Sequence, residues 1–504
     1  MKRIVVIGGG VAGLGAAYRI ARARAAGHDV EVLVVERAQR LGGKLATDLV
    51  PDPDGGRYVV DGGSDAFVST KPAVRRVATM LGIEDEIVPA CDENKRTLIV
   101  KGRRLVELPD GIMMFAPTKL LPLATTPLYS WPGKLRMALD LVIPRKERWA
   151  PGESAKDHDE TLEDFVVRRM GREALDRVAE PLVGGVHASD PSVMSLAATF
   201  PEFLEMEQKH GSLIRGFLEQ RKAREAMKAR QPARPGQKPW SFFNTFVHGM
   251  QTLPDAMGDA VGTKNITLGR AVTGLERRSG SWRVTLDDGE EIPADGVVLA
   301  VEAWAAVPLA ASVDERIREL MEQIPCSSSA TVPMAFAAKD CPFDLRWHGI
   351  LVPLVEKRPL LAVTLSSSKW PDRAPSDRIL LRGFIGGPRN QHLVDASDAD
   401  LIETARREIV GMLGMPDGAR PVFARVYRWI GGMPQYTLGH LDRVEEIETL
   451  TAAIPGFAMA GSAFRGVGIP NCIESGERAA DKVLSDLGIA HTEDRSGAGV
   501  RRSG

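Results

Sequence analysis

Three glycine-rich stretches carry the chemistry of this sequence. The first, Gly8-Gly9-Gly10-Val11-Ala12-Gly13, fits the pattern G-x-G-x-x-G. Gly8 permits a tight turn, Gly10 lets backbone approach a pyrophosphate, and Gly13 lets helix and sheet pack closely, so that helix N-terminal amides face phosphate. Glu36 is placed to hydrogen-bond the ribose hydroxyls of an adenosine. The second stretch follows at once, with Arg37 and then Arg40-Leu41-Gly42-Gly43-Lys44. Its glycines allow backbone contact with a cofactor, and Arg40 reaches towards phosphate. Asp61-Gly62-Gly63-Ser64 adds another close approach, expected near the ring end of that cofactor. The third stretch runs from Ala460 to Pro470 and contains Gly461, Val467, Gly468 and Ile469. It is a second glycine-lined helix start, suited to an anion or a carbonyl. A nicotinamide dinucleotide on one βαβ unit needs only the first stretch. Contacts from both ends of the chain fit FAD, which is long and extended.

These residues need a scaffold. Arg3–Ile7 reads as a buried strand, Val11–Ala26 as a helix and Val30–Val35 as a second strand, which makes one βαβ unit. Pro72–Leu81 reads as a helix stopped by Gly82. From Gly111 to about Arg230 no strand alternation is evident, and Leu, Met, Ala and Glu predict a mainly helical region. Gln220–Lys238 reads as a basic, solvated linker. Beyond it, Trp282–Leu286, the turn Asp287-Asp288-Gly289 and the apolar run Val297–Val301 predict a hairpin returning to a parallel sheet. Thr331–Ala337, His348–Pro353, Pro359–Ser366 and Ile379–Gly386 predict a second sheet, and Leu401–Leu413 and Ile473–Leu487 amphipathic helices.

Composition closes off other classes. The chain has 504 residues, ample for a large core and several domains. Lys+Arg is 65 against Asp+Glu 66, so no basic excess exists for nucleic acid. The four cysteines, Cys91, Cys326, Cys341 and Cys472, form no C-x-x-C pair, so neither a zinc site nor a disulfide framework is expected. No long uncharged apolar run predicts a membrane span, and a cytoplasmic location fits. No Ser/His/Asp set or paired acid and base stands at motif spacing.

At this point the sequence resembles the oxygen-dependent protoporphyrinogen/coproporphyrinogen oxidases, within the flavin amine oxidase superfamily. The likeness rests on Glu180-Pro181-Leu182-Val183-Gly184-Gly185-Val186-His187-Ala188, on Ser366-Ser367-Ser368-Lys369, on Met433-Pro434-Gln435-Tyr436 with Gly439-His440, and on Phe464-Arg465-Gly466-Val467-Gly468-Ile469-Pro470. It implies a porphyrinogen substrate that loses six electrons in three desaturations, hydride passing to flavin N5 and O2 yielding peroxide. Cofactor and substrate then carry the chemistry, and no catalytic side chain is needed. The resemblance implies propionate anchoring by Arg96, a charge-assisted bond of about 1.5–3 kcal/mol. Lys71 is a second candidate, and Val272 joins the cofactor residues. Cys472 lies beyond the C-terminal glycine motif, so FAD is expected to be non-covalent.

The implied fold is α/β and α+β. A Rossmann-like FAD unit is expected from residues 1–70, 240–305 and 425–488, and a mixed-sheet substrate unit from 71–105 and 306–424. An inserted helical unit (106–239) and a disordered tail (489–504) complete the chain. Relatives associate with membranes through the helical unit. Here Ile112–Pro144 is apolar, but the sequence has no clean amphipathic stripe, which favours a channel-lining lid over peripheral membrane contact. A homodimer stays open. So do a polyene desaturase, an amine oxidase or a flavin-retaining porphyrin carrier as alternatives. Coproporphyrinogen III is slightly favoured over protoporphyrinogen IX.

Overall fold

The structure, a computed structural model, describes residues 1–230, 241–278 and 280–489. The tail and the second half of the basic linker lie outside the described residues, as does the side chain of His187.

The strand Lys2–Ile7 is central in a five-stranded parallel sheet. Val30–Glu36 and Ile266–Leu268 lie to one side of it, Gly296–Leu299 and Phe457–Met459 to the other. Its residues alternate between two cores, as a strand's period of two requires. Ile4 and Val6 pack under the helices Val11–Ala25 and Ile469–Asp486. Val5 and Ile7 pack under the helices Ala303–Ala310 and Glu315–Glu322 and the antiparallel sheet Val272–Arg278, Ser281–Leu286 and Glu291–Ala294. Buried on both faces, these strands read as apolar runs for that reason.

A second, mixed sheet of eight strands has Cys326–Ala337 paired to Arg378–Gly386 over nine residues. Leu360–Leu365, Gly349–Leu351, Thr97–Lys101 and Arg104–Glu107 follow in order. The helix Asp398–Leu413 covers it, capped by Ser397 and closed by Gly414 in the left-handed region. Residues from Phe115 to Phe217 build a separate helical core. It is stapled by Arg169, fully buried, which bonds Asp140 and the carbonyls of Ile143, Pro144 and Gly211. Within this core the helix Arg172–Ala174 runs through a π segment, Leu175–Ala179, into Glu180–His187.

Three boundaries differ from expectation. The helix Ala73–Leu81, expected in the substrate unit, packs Val74 and Val77 into the core beneath Val11–Ala25. Residues 303–322, split by the expected boundary at 306, pack wholly on the parallel sheet. Tyr427–Pro434, expected with the FAD unit, pairs with Cys326–Ala337 in the mixed sheet. Each is an apolar face whose tertiary partner no local pattern names. The linker expected from Gln220 is instead helical as far as Arg230, within Leu213–Arg230.

Candidate functional site

A cavity of about 710 Å³ opens at the C-terminal ends of the parallel strands. It is walled by the first glycine stretch, by Glu36 and Arg37, by Arg40 to Leu45, and by Gly461, Val467 and Ile469 from the far end of the chain. This is the crevice where doubly wound sheets bind ligands. The three glycines of the first stretch divide their labour. Gly8 has φ +106°, and a Cβ there would lie 2.5 Å from the carbonyl oxygen of Ala300. A Cβ on Gly13 would lie 1.8 Å from the carbonyl oxygen of Gly8, so this glycine serves packing. A Cβ on Gly10 meets nothing within 4 Å. The space it would fill is the cavity itself, and a dinucleotide fits this cradle. Glu36 ends the strand Val30–Glu36 and accepts hydrogen bonds from the backbone N–H of Gly9 and Ala38, at 2.6 and 2.7 Å. A carboxylate has capacity beyond two bonds, and the Glu36 side chain remains on the cavity wall. Arg37 rests over the ring of Trp304 at 5.8 Å.

Arg40 lines the cavity, but its guanidinium donates to the carbonyls of Leu41, Gly43 and Leu45 and to Gln251. It therefore braces the loop that Gly42 and Gly43 turn through, from a place on the cavity wall. Burial pulls its pKa down, against the pull of Glu36, without neutralising it. Lys44 lines the cavity. The second close approach, expected at Gly62 and Gly63 towards the cofactor, is an approach to the protein. A Cβ on Gly62 would strike the Tyr427 ring at 2.4 Å, and one on Gly63 would lie 1.8 Å from the carbonyl oxygen of Lys44. Ser64 alone of that group lines the cavity, and so does Val272. Gly468 is the N-cap of the last helix and stands just outside the wall.

The two anchors part company. Arg96 bonds Glu107 at 3.0 Å and Asp344 at 2.9 Å, about a third exposed, and is not part of the cavity wall. Its expected place as a carboxylate anchor is taken by two carboxylates of the protein. Lys71 donates to the Asn471 side-chain oxygen at 2.8 Å, beside the start of the last helix. Its hydrogen-bond partner is neutral, and the Glu202 carboxylate lies within its electrostatic reach.

Trp429, which the sequence reads as a core or flavin-flanking residue, lines the cavity and donates its indole N–H to the carbonyl of Gly62 at 3.1 Å. Sequence reasoning missed other wall residues: Trp304 and Met433 also face in. Cys472 does too, although the sequence placed it beyond the glycine motif. Burial pushes its thiol up to about 11, so it is a poor nucleophile and non-covalent binding stands. Tyr436 donates to the Ser462 carbonyl and accepts from the Gly466 N–H, at 2.7 and 2.8 Å. His440 stacks on it at 3.9 Å and bonds the Phe464 carbonyl. Burial lowers its pKa to about 4, so the ring is neutral. The Met433–His440 motif thus holds the C-terminal glycine loop in place. These contacts span 26 and 30 positions, beyond the reach of local spacing.

The helical core presents one unburied face. Trp131, Leu135, Leu139 and Val142 are 66, 68, 48 and 74% exposed, at spacings of four, four and three, with Leu121 at 74%. The amphipathic stripe that the sequence did not reveal exists, and it faces outward. Among the described residues no helix is long and apolar enough to cross a membrane, and no cluster is suited to a metal.

Comparisons with known proteins agree with this site. The chain is 31% identical over 492 residues to coproporphyrinogen III oxidase of Bacillus subtilis (strain 168), covering 96% of this chain and 98% of the relative. It is 32% identical over 520 residues to coproporphyrinogen III oxidase of Propionibacterium freudenreichii subsp. freudenreichii, covering 97% and 92%. A crystal structure from Exiguobacterium sp. 255-15 superposes with a TM-score of 0.81 at 28% identity, covering 97% of this chain and 99% of that one. Residues 11–484 match the flavin containing amine oxidoreductase family. With FAD motifs at both ends of one cavity and a family match over nearly its whole length, the chain belongs to the flavin-containing amine oxidoreductases.

Proposed function

We propose that this protein oxidises a porphyrinogen to the porphyrin, with O2 as final acceptor and peroxide as by-product, and that the porphyrinogen is coproporphyrinogen III. The observation that carries the reading is end-to-end similarity to enzymes named for that substrate, in a chain whose cavity is walled by glycine-lined helix starts from both of its ends. FAD, when bound, supplies two-electron hydride acceptance at N5. The chain supplies position. Glu36 takes the adenosine ribose, the open face of Gly10 admits the pyrophosphate, and Ser64, Trp429, Val467 and Ile469 close around the ring end.

Coproporphyrinogen III carries four carboxylates where protoporphyrinogen IX carries two. Lys71, held by a neutral amide, and Lys44, on the cavity wall, are cations suited to meet them. Purified yellow protein, given each porphyrinogen in turn, develops porphyrin fluorescence faster with coproporphyrinogen. Lys71→Ala narrows that preference, by about 1–2 kcal/mol in kcat/KM. Equal rates in the wild type, or turnover of protoporphyrinogen alone, overturn the substrate assignment.

The outward stripe favours a peripheral membrane contact over a purely soluble lid. Trp131 is an aromatic of the interfacial type, and the Lys134 ammonium lies 4.6 Å from its ring centroid. Co-sedimentation with anionic vesicles, abolished in Trp131→Glu, tests it. Wild type that stays in the supernatant refutes it.

A further inference from the structure

Directly behind Ser64 lies a buried ionic cluster. The Asp65 carboxylate accepts from the Lys369 ammonium and the Trp370 indole N–H, both at 3.1 Å, and faces the Arg382 guanidinium at 3.2 Å. Arg382 also donates to the carbonyls of Asp61 and Gly63, at 2.8 and 2.7 Å. Arg373 stands 3.3 Å from the Asp61 carboxylate. Side-chain exposure is 1% for Arg373, 4% for Arg382, 5% for Asp61, 13% for Lys369 and 14% for Asp65. The Lys369 ammonium is further held over the rings of Trp370 and Phe243, at 4.8 and 5.3 Å.

Three cations thus meet two carboxylates. Burial raises the Asp65 pKa, but Lys369 and Arg382 overcome it and keep the carboxyl ionised. Burial pushes the Asp61 carboxyl up, against the pull of Arg373. The cluster carries excess positive charge in a nearly dry site. Bonds from Arg382 to the Asp61 and Gly63 carbonyls and from Arg373 to Thr245, Phe246 and Val247 offset part of the desolvation, but these neutral acceptors leave the excess charge in place. The loop is in any case held by neutral donors, since Thr331 and Trp429 both bond the Gly62 carbonyl. The carbonyls of Asp61, Gly62 and Gly63 all accept from donors of the mixed sheet.

We infer that Lys369, Arg382 and Arg373, balanced against Asp65, set the reduction potential of the cofactor by placing net positive charge behind the Ser64 wall, where the ring gains negative charge on accepting hydride. This gives the Ser366–Lys369 motif a role that turnover alone does not assign. These are positioning residues in the electrostatic sense, and none touches substrate. The inference rests on the flavin reading of the cavity.

The test uses the full-length, FAD-loaded protein. Its readouts are the reduction potential by dye equilibration and the sulfite dissociation constant by bleaching of the visible flavin band. Sulfite donates its sulfur lone pair to N5, and the ring takes up the charge. Lys369→Met lowers the potential and raises the sulfite constant about tenfold, the size of one unit charge at short range in a partly shielded site. Asp65→Asn moves both readouts the opposite way. Lys369→Arg stays near wild type. Shifts of the same sign in Lys369→Met and Asp65→Asn mark a merely structural role and overturn the inference. Should Asp65→Asn fail to retain FAD, the pair Lys369→Met and Lys369→Arg decides, and a potential in Lys369→Met equal to wild type refutes it. Wild type that binds no FAD would instead overturn the flavin reading.

Discussion

The cofactor cradle and the substrate side are built by opposite means. The cradle is backbone: glycines, helix starts and a carboxylate that ties a turn, with partners mostly within a few positions, as for Glu36 with Ala38 and Arg40 with Gly43 and Leu45. The residues expected to anchor substrate are side chains reaching across the chain. Arg96 finds Asp344 over 248 positions and Lys71 finds Asn471 over 400. The first kind of site is fixed by steric exclusion and tolerates little change. The second is fixed by charge and should respond by degrees, to pH and to substitution.

The largest expected effect lies in the cradle and separates fold from binding. Gly13→Ala sets a methyl 1.8 Å from the Gly8 carbonyl oxygen and should yield insoluble or unfolded protein. Gly10→Val enters open space and should fold with near-native circular dichroism, yet purify colourless. Stoichiometric FAD in Gly10→Val would end the distinction.

A middle-sized effect belongs to the junction of the helical core and the mixed sheet. Glu180, directly after the π segment, accepts from the Leu354 N–H across that junction at 3.0 Å. Asp190 is paired there with Arg389, and Arg177 with Glu356. Burial pushes the Glu180 carboxyl from its ordinary 4.5 to about 7, with Arg389 pulling down and Asp176 and Asp190 pushing up. The folded protein therefore holds a proton that the unfolded chain gives up. Stability from this site is full below about pH 4.5 and is lost as pH rises through about 7. Glu180→Gln keeps an acceptor without the charge. It should match wild type near pH 5 and exceed it at pH 8 by about 2 kcal/mol in denaturant melts. Identical pH profiles for the two proteins would sink the assignment.

The smallest effect sharpens the comparison at its weakest point. Arg96→Ala should cost less than about 1 kcal/mol of stability, as for exposed ion pairs, and change KM by less than about threefold. A tenfold rise in KM at constant kcat would mean that Arg96 leaves Glu107 and Asp344 for the substrate.

What was legible in the sequence follows the same division. The βαβ unit, the helix stopped by Gly82 and the glycine motifs follow from turn geometry and burial period, and the structure has them where expected. Arg40 stands on the cavity wall as expected, but its bonds to the loop carbonyls were not legible, because spacing alone does not say what else a guanidinium beside a phosphate cradle holds. Gly62 and Gly63 signalled a close approach correctly, but the neighbour is Tyr427 on one side and Lys44 on the other. The membership of Tyr427–Pro434 in the mixed sheet depends on a partner strand about a hundred residues away, and no local pattern encodes it.

Cys472 gives the cavity a form of self-protection. The proposed reaction generates peroxide beside this thiol, and peroxide attacks the thiolate rather than the thiol. With its pKa near 11, the fraction ionised at pH 7 is about one in ten thousand. A thiol placed on the wall of an oxidase is thus kept unreactive towards peroxide by the same burial that shapes the wall.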